Sequence, residues 1–280
     1  MTEQEAIRQA LLEDIGNGDH SSLACIDSSI IGQMQLIAKQ SGILAGIDVA
    51  LMVLNEVDSS IRLDSYKQDG DEIQKGDIVF TLTGPVKSML TAERTVLNFM
   101  QRMSGIATAT SRYIKKIEGT GTTILDTRKT TPNMRFFEKY AVKVGGGTNH
   151  RFGLYDMIML KDNHIDFAGG IEKAIDKTHQ YLKDHNLDLK IEIETRNIEE
   201  VKRVVAHGGV DRIMLDNFTP EKIIEALQII DSKYETEASG GITLDNLTDY
   251  AKTGVNFISV GDLTHHINSL DLSLKYIGVI

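Results

Sequence analysis

Two short polar stretches between Asp126 and His164 concentrate the side chains best suited to hold an anion. The first reads D-T-R-K-T-T-P (Asp126 to Pro132). The second opens as G-G-G-T-N-H-R (Gly145 to Arg151) and resumes as K-D-N-H (Lys161 to His164). Arginine offers a planar fork that meets a carboxylate through two parallel hydrogen bonds, and lysine adds a compact point charge. Taken singly, each of these cations reads as solvated surface. Gathered in a chain whose net charge is −10, Arg128, Lys129, His150, Arg151 and Lys161 point to a pocket for a strongly anionic small molecule.

Further along, Glu194 and Asp216 could hold Mg²⁺ with its waters retained, accept hydrogen bonds from sugar hydroxyls, or simply form salt bridges to Lys161 or Arg128. Glu192 is expected to face away from Glu194 and is set aside. Ser239-Gly240-Gly241, followed by Thr243 and a helical period, reads as a phosphate cradle. Glycines let the backbone approach, and a following helix aims N–H groups at the anion. Gly261 would complete a pair of loops of that kind. Gly145-Gly146-Gly147 reads as the stop of a helix ending near Val144 that delivers His150 and Arg151. Asp162-Asn163-His164 suggests a metal only superficially, because three adjacent residues cannot all face one ion.

Elements must bring these residues together. Thr2 and Glu5 have capping-box spacing ahead of Ala6, Ile7, Ala10, Leu11 and Ile15, a first amphipathic helix that stops at Gly16. From Gln33 to Phe80 short alternating runs such as Ile61-Arg62-Leu63 are parted by Asp-Gly and Lys-Gly-Asp turns, with two tight turns flanking a β-segment in Asp69–Asp77. Residues 1–105 therefore read as an α+β unit. A long helix starting after Thr91 would carry Val96, Met100, Met103 and Ala107 inward. Beyond it, over 106–264, short apolar runs recur at Thr122–Leu125, Met157–Leu160, Lys190–Ile193, Arg212–Leu215, Tyr234–Ala238 and Asn256–Val260. Helical periods such as Pro220–Ile230 and Leu244–Lys252 separate most of them. Strands alternating with helices imply a parallel sheet, closed or nearly closed into an α/β barrel, with an open doubly wound sheet as the other solution. Asp126, Lys161, Glu194, Asp216, Ser239 and Gly261 fall at the ends of the six runs. In a barrel those ends form one face, and chemistry sits there.

Bulk properties narrow the function classes. With 280 residues, 41% hydrophobic and 25% charged, the chain has the makeup of a folded globular enzyme. Its acidic balance argues against broad contact with nucleic acid or an anionic membrane. A single cysteine, Cys25, allows no internal disulfide and fits a reducing cytoplasm. The longest apolar stretch, Ile43 to Leu54, is too short to span a bilayer, and residues 1–20 have no apolar core of the signal-peptide kind.

Read together, the motifs resemble the quinolinate phosphoribosyltransferase family, the decarboxylating enzymes that form nicotinate mononucleotide in NAD synthesis. The likeness runs through L-L-E-D-I-G-N-G-D (Leu11 to Asp19), A-E-R-T-V-L-N (Ala92 to Asn98), D-T-R-K-T, K-Y-A-V-K-V-G-G-G-T-N-H-R, L-K-D-N-H-I, E-I-E, L-D-N-F, E-A-S-G-G-I and V-G-D-L-T-H. The resemblance implies an α/β fold in which an N-terminal α/β sandwich precedes an incomplete barrel, with the tail 265–280 returning to the first domain. It also implies a homodimer in which Arg94 reaches the neighbour's barrel. In that family pattern Arg94, Arg128, His150, Arg151 and Lys161 hold the two carboxylates of quinolinate. Lys129, Glu194 and Asp216 lie along phosphoribosyl pyrophosphate and its Mg²⁺, and Ser239, Gly240, Gly241 and Gly261 cradle the 5-phosphate. Lys129, Lys161, Glu194 and Asp216 are the residues expected to take part in catalysis. Two positions depart from the pattern: Asn133-Met134 stands where the family often has Pro-Gly or Gly-Leu, and Asp262 stands beside the phosphate loop.

Other classes remain at this point. A non-decarboxylating phosphoribosyltransferase or a molybdenum-transport-associated homologue shares parts of the motifs. A Schiff-base aldolase could use Lys161 at a strand end, and an anion-binding accessory protein would bind without releasing pyrophosphate.

Overall fold

The computed structural model describes residues 2–280. The chain begins α1 (Glu3–Ile15), α2 (His20–Cys25), β1 (Ile31–Ala38), β2 (Gly42–Ile43), α3 (Ile47–Val57), β3 (Arg62–Ser65), β4 (Glu72–Ile73), β5 (Ile78–Pro85) and α4 (Val86–Lys116). It continues β6 (Thr123–Leu125), α5 (Arg135–Val144), β7 (Ile158–Leu160), α6 (Asp162–Ala168), α7 (Ile171–His185), β8 (Ile191–Thr195) and α8 (Ile198–His207). The last elements are β9 (Arg212–Asp216), α9 (Pro220–Ile230), β10 (Glu235–Ser239), α10 (Leu247–Ala251), β11 (Phe257–Ser259), α11 (Asp262–His265) and β12 (Leu272–Val279). Two compact units result, one made of residues 1–111, 130–146 and 263–280, the other of 112–129 and 147–262.

The first unit is built on a four-stranded antiparallel sheet in the order β12-β1-β5-β3, with a separate β2–β4 pair. Alternation in β1 buries Met34, Leu36 and Ala38 on one face, the period of a half-covered strand. The capping box of α1 is present: Thr2 Oγ1 accepts the Glu5 N–H at 3.2 Å, and the Glu5 carboxylate accepts the Thr2 N–H at 2.8 Å. Gly70 and Gly76, at φ +93° and +99°, make the two turns around β4. Helix α4 carries Val96, Met100, Met103 and Ala107 inward as the apolar spacing requires. It starts at Val86, five residues before the expected Thr91. Thr91 donates its hydroxyl to the Lys87 carbonyl at 3.0 Å, a back-bond that lets threonine sit inside a helix where its type suggests a cap.

The second unit is a six-stranded parallel sheet in the order β6-β11-β10-β9-β8-β7. All six apolar runs seen in the sequence are its strands. The sheet does not close, since β6 and β7 are its edges and do not pair with each other. Every residue of β8 is buried, as expected of a parallel strand covered on both faces. Because all six strands run the same way, their carboxyl ends share one edge, and the loops carrying the charged motifs leave from that edge.

In the first unit, Asp69 accepts the Gly46 and Ile47 N–H groups that open α3, and Tyr140 of α5 donates its hydroxyl to the same carboxylate at 2.9 Å. Burial, and then this bond to Asp69, push the Tyr140 pKa up to about 12. The unfolded phenol titrates near 10. The bond's stabilisation is therefore complete below that pH and is lost as pH climbs to about 12. Tyr140→Phe should lose about 1 kcal/mol at neutral pH, and its thermal stability should fall less steeply than the parent's between those two pH values. A parallel loss in both proteins would remove the Tyr140–Asp69 bond from this account.

Candidate functional site

The site is assembled at the carboxyl edge of the parallel sheet, within the second unit. After β6 the chain enters Asp126, which is fully buried. Its N–H donates to the Thr148 carbonyl at 3.1 Å, and the Thr148 N–H donates to the Ile124 carbonyl at 2.9 Å. The 147–151 segment thus lies against the end of β6 like a short extra strand, joined to it by the Leu125–Thr148 bridge. Helix α5 stops at Gly145 just before it, so the triple glycine does deliver His150 and Arg151. Asp126 Oδ1 accepts the His150 N–H at 2.8 Å, fixing that delivery.

Arg151 is half-buried and donates Nη1–H to the Met157 carbonyl at 3.1 Å. Burial lowers its pKa, and the next cause is the positive charge of Arg128. The charge of Arg128 is therefore near enough to act on Arg151. Arg128 is itself half-buried, and its Nε–H is buried without a hydrogen-bond partner. A buried donor left unmade is costly, and two cations left together are costly as well. A dianion seated between the forks relieves both.

Lys161 follows β7, and its Nζ lies 3.1 Å from Glu194 Oε2. His164 holds the strand end by accepting the Lys161 N–H on Nδ1 at 3.0 Å. Glu194 is buried in β8, and burial raises its pKa, with Lys161 opposing and Asp216 adding to the shift. Burial also raises the pKa of Asp216 at the end of β9, where the charges of Lys161 and Lys129 work the other way. Glu194, Asp216, Lys161 and Lys129 thus share one electrostatic neighbourhood. The Lys161–Glu194 contact is an ion pair.

At the next strand end, Gly240 has φ +94° and Gly241 φ +63°. A Cβ on Gly240 would fall 2.3 Å from Asn217 Oδ1, so that position requires glycine on two counts. The helical part of the phosphate reading needs correction. A helix from Leu244 was expected, whereas α10 starts at Leu247. Asn246 explains the delay: its Oδ1 accepts the Thr243 N–H at 2.8 Å and its Nδ2 donates to the Gly241 carbonyl at 3.1 Å, holding the intervening residues in a loop. Gly261 lies just past β11, and the Val260 N–H before it donates to the Leu125 carbonyl at 3.0 Å, tying the loop to β6. Of the two departures, Asn133 adopts φ +65°, a left-handed turn that asparagine tolerates. Asp262 opens α11, where an acid suits the helix dipole. It also lies near enough to Tyr113 to help burial raise that phenol's pKa.

The structure thus brings Arg128, Lys129, His150, Arg151, Lys161, Glu194, Asp216, Ser239, Gly240, Gly241 and Gly261 to one unit and one sheet edge. Arg94 belongs to the other unit, exposed on α4. Glu192 is the clear misreading. Residues two apart on a strand point the same way, so Glu192 shares Glu194's side and lies fully buried, its Oε2 3.0 Å from His150 Nε2. Glu237 lies 3.3 Å from the same nitrogen and is paired at 2.9 Å with Arg212. Neither Glu237 nor Arg212 was singled out from the sequence, although glutamates inside strands of a parallel sheet are signal enough, because such strands are normally apolar.

Comparison with known proteins agrees with this arrangement. Residues 19–104 match the family model "Quinolinate phosphoribosyl transferase, N-terminal domain", and residues 106–275 match its C-terminal domain. This chain belongs to that family. It is 43% identical over 287 residues to "Quinolinate phosphoribosyltransferase (decarboxylating) 2b, mitochondrial" of Nicotiana tabacum, covering 97% of this chain and 81% of the relative. It is 42% identical over 275 residues to a "Probable nicotinate-nucleotide pyrophosphorylase (carboxylating)" of Bacillus subtilis, covering 97% and 92%. The solved nicotinate-nucleotide pyrophosphorylase from Francisella tularensis superposes with a TM-score of 0.92 at 41% identity, over 98% of this chain and 96% of that one. The mixed α/β fold with an unclosed parallel sheet is the family's.

The glycine loop yields a direct check. Gly240→Ala meets both a left-handed backbone and the Asn217 side chain, whereas Gly76→Ala, at φ +99° with open space around it, meets only the backbone. Gly76→Ala should cost about 1–3 kcal/mol of stability, and Gly240→Ala should cost about 1–3 kcal/mol more, read by thermal unfolding. Equal losses would mean that Asn217 yields without cost.

Proposed function

We propose that this chain transfers the phosphoribosyl group of phosphoribosyl pyrophosphate to the ring nitrogen of quinolinate and releases CO₂ from ring position 2, giving nicotinate mononucleotide for NAD synthesis. The observation that carries this reading is the half-buried Arg128, its buried Nε–H left unmade, with its charge acting on the half-buried Arg151. A flat diacid is the ligand that such a pair lacks. The family of the chain and the names of its relatives support the decarboxylating enzyme over a molybdenum-transport-associated homologue.

The bond forming joins quinolinate nitrogen to ribose C1, and the bond breaking releases pyrophosphate with its electron pair. Positive charge grows at C1 and negative charge on the departing oxygens, so positioning and electrostatics do most of the work. In this reading Arg128, Arg151 and His150 orient the diacid with its nitrogen toward C1. Lys129 and Lys161 stand where pyrophosphate charge develops, and Ser239, Gly240, Gly241 and Gly261 hold the 5-phosphate. Once ribosylated, the ring nitrogen is cationic and can hold the electron pair that CO₂ leaves at position 2. A proton then replaces the carboxylate, with Lys161 or Lys129 as candidate donors.

Mg²⁺ would neutralise the leaving pyrophosphate. The donor set fits a substrate-held ion: Glu194 and Asp216 are two acids near lysines, and among the described residues they join no three-ligand cluster. We also propose a cytoplasmic homodimer in which Arg94, exposed on α4, completes the partner's site.

Incubation with quinolinate, phosphoribosyl pyrophosphate and Mg²⁺ should yield nicotinate mononucleotide, pyrophosphate and CO₂ in equal amounts, and nicotinate offered instead should not turn over. Pyrophosphate release with nicotinate alone would reassign the chain to a non-decarboxylating transferase. Arg128→Ala or Arg151→Ala should cost about 3–5 kcal/mol in kcat/KM for quinolinate, about 150-fold to 4,000-fold. Normal kinetics in both variants would take the pair out of the site. Mixing Arg94→Ala with Lys161→Ala subunits should restore activity, since one composite site is then whole. Failure of two separately folded variants to complement would count against a shared site.

A further inference from the structure

His150 is held by a buried chain of charges, Glu192, Glu237 and Arg212, to which the reaction described above gives no part. His150 Nε2 lies 3.0 Å from Glu192 Oε2 and 3.3 Å from Glu237 Oε2, and all three side chains are buried. Glu237 is held in turn by Arg212 Nη1 at 2.9 Å, Arg212 also pairs with Glu235 at 3.0 Å, and its guanidinium stacks 4.0 Å over the Phe257 ring. On the other side of the imidazole, His150 Nδ1 accepts the Arg151 backbone N–H at 2.6 Å. Burial opposes a charged ring, and the two carboxylates favour one strongly enough to raise the His150 pKa to about 9. The Arg151 N–H aimed at Nδ1 works against that second proton. The ring is thus held from both edges, Nε2 beside the two carboxylates and Nδ1 beside the Arg151 N–H.

We propose that Glu192 and Glu237, braced by Arg212, are positioning residues for the diacid: they clamp the His150 ring, and the ring fixes the Arg151 main chain and so the direction of its guanidinium. The link is short. The same backbone N–H that His150 accepts belongs to the residue on which the charge of Arg128 acts, so a ring free to turn would free Arg151 as well. Desolvated acids inside a parallel sheet are expensive unless paired. A clamp that sets a guanidinium to within a fraction of an ångström gives that expense a role. The inference rests on Arg151 binding quinolinate.

Glu192→Leu keeps the volume and removes the acceptor, whereas Glu192→Gln keeps an acceptor oxygen. In folded Glu192→Leu the KM for quinolinate should rise about 10-fold to 100-fold, the worth of one hydrogen bond to a charged group. The KM for phosphoribosyl pyrophosphate should stay within about 2-fold, and Glu192→Gln should recover most of the loss. An unchanged quinolinate KM, or equal rises in both KM values, would overturn the proposal. If Glu192→Leu does not fold, nitrogen NMR of His150 in the unaltered protein decides: Nε2 protonated with Nδ1 bare supports the clamp, and the reverse tautomer or a doubly protonated ring refutes it. Arg151→Ala, run alongside, separates the failures. Loss there with none at Glu192 sinks only the clamp, while normal kinetics there sinks the site reading beneath it.

Discussion

Two guanidiniums that repel one another hold the key to this molecule. Arg128 and Arg151 sit half-buried at one sheet edge, where burial and the charge of Arg128 both work against a charged Arg151. Solvent could screen such a pair in the open, but here a donor of Arg128 is closed off from water and left unmade. The fold tolerates this because its scaffold is fixed from elsewhere: Asp126 pins the His150 main chain, Met157 accepts from Arg151, and the sheet carries both segments. Cations held in place by a rigid surround need no rearrangement to meet an anion.

The parallel sheet turns scattered sequence positions into one mouth. Six strands running in one direction put six loops along one edge, and each loop brings a different chemical element: cations after β6 and β7, acids at β8 and β9, glycines after β10 and β11. The order along the sheet matters as much as the set. The glycine loops follow β11 and β10, the next two strands in order from β6, which carries Arg128 and Lys129 at its end, while Lys161 and Glu194 lie on the far strands β7 and β8. Along that edge the cations of β6, the glycine loops of β11 and β10, and the acids of β9 and β8 therefore follow one another in that order.

Much of this was legible in the residues. Most strands of the second unit are short apolar runs ended by a polar residue or glycine, as a parallel strand buried on both faces requires. The misreadings have specific causes. Glu192 was set on the wrong side although a two-residue period puts it beside Glu194. The onset of α4 was placed at Thr91 because threonine favours caps, yet a back-bond to Lys87 lets it stay inside the helix. The helix after Gly241 begins late because the Asn246 side chain ties up the preceding loop. Glu237 and Arg212 escaped notice since their pairing joins neighbouring strands, a contact no local pattern encodes.

The central claim is that the two arginines are matched to two carboxylates on one flat ring. Calorimetric binding of quinolinate beside nicotinate, which carries one carboxylate fewer, tests it most directly. Loss of one charge-assisted hydrogen-bonded pair is worth roughly 1.5–3 kcal/mol, so quinolinate should bind about 10-fold to 100-fold tighter. Equal affinities for the two would contradict the account.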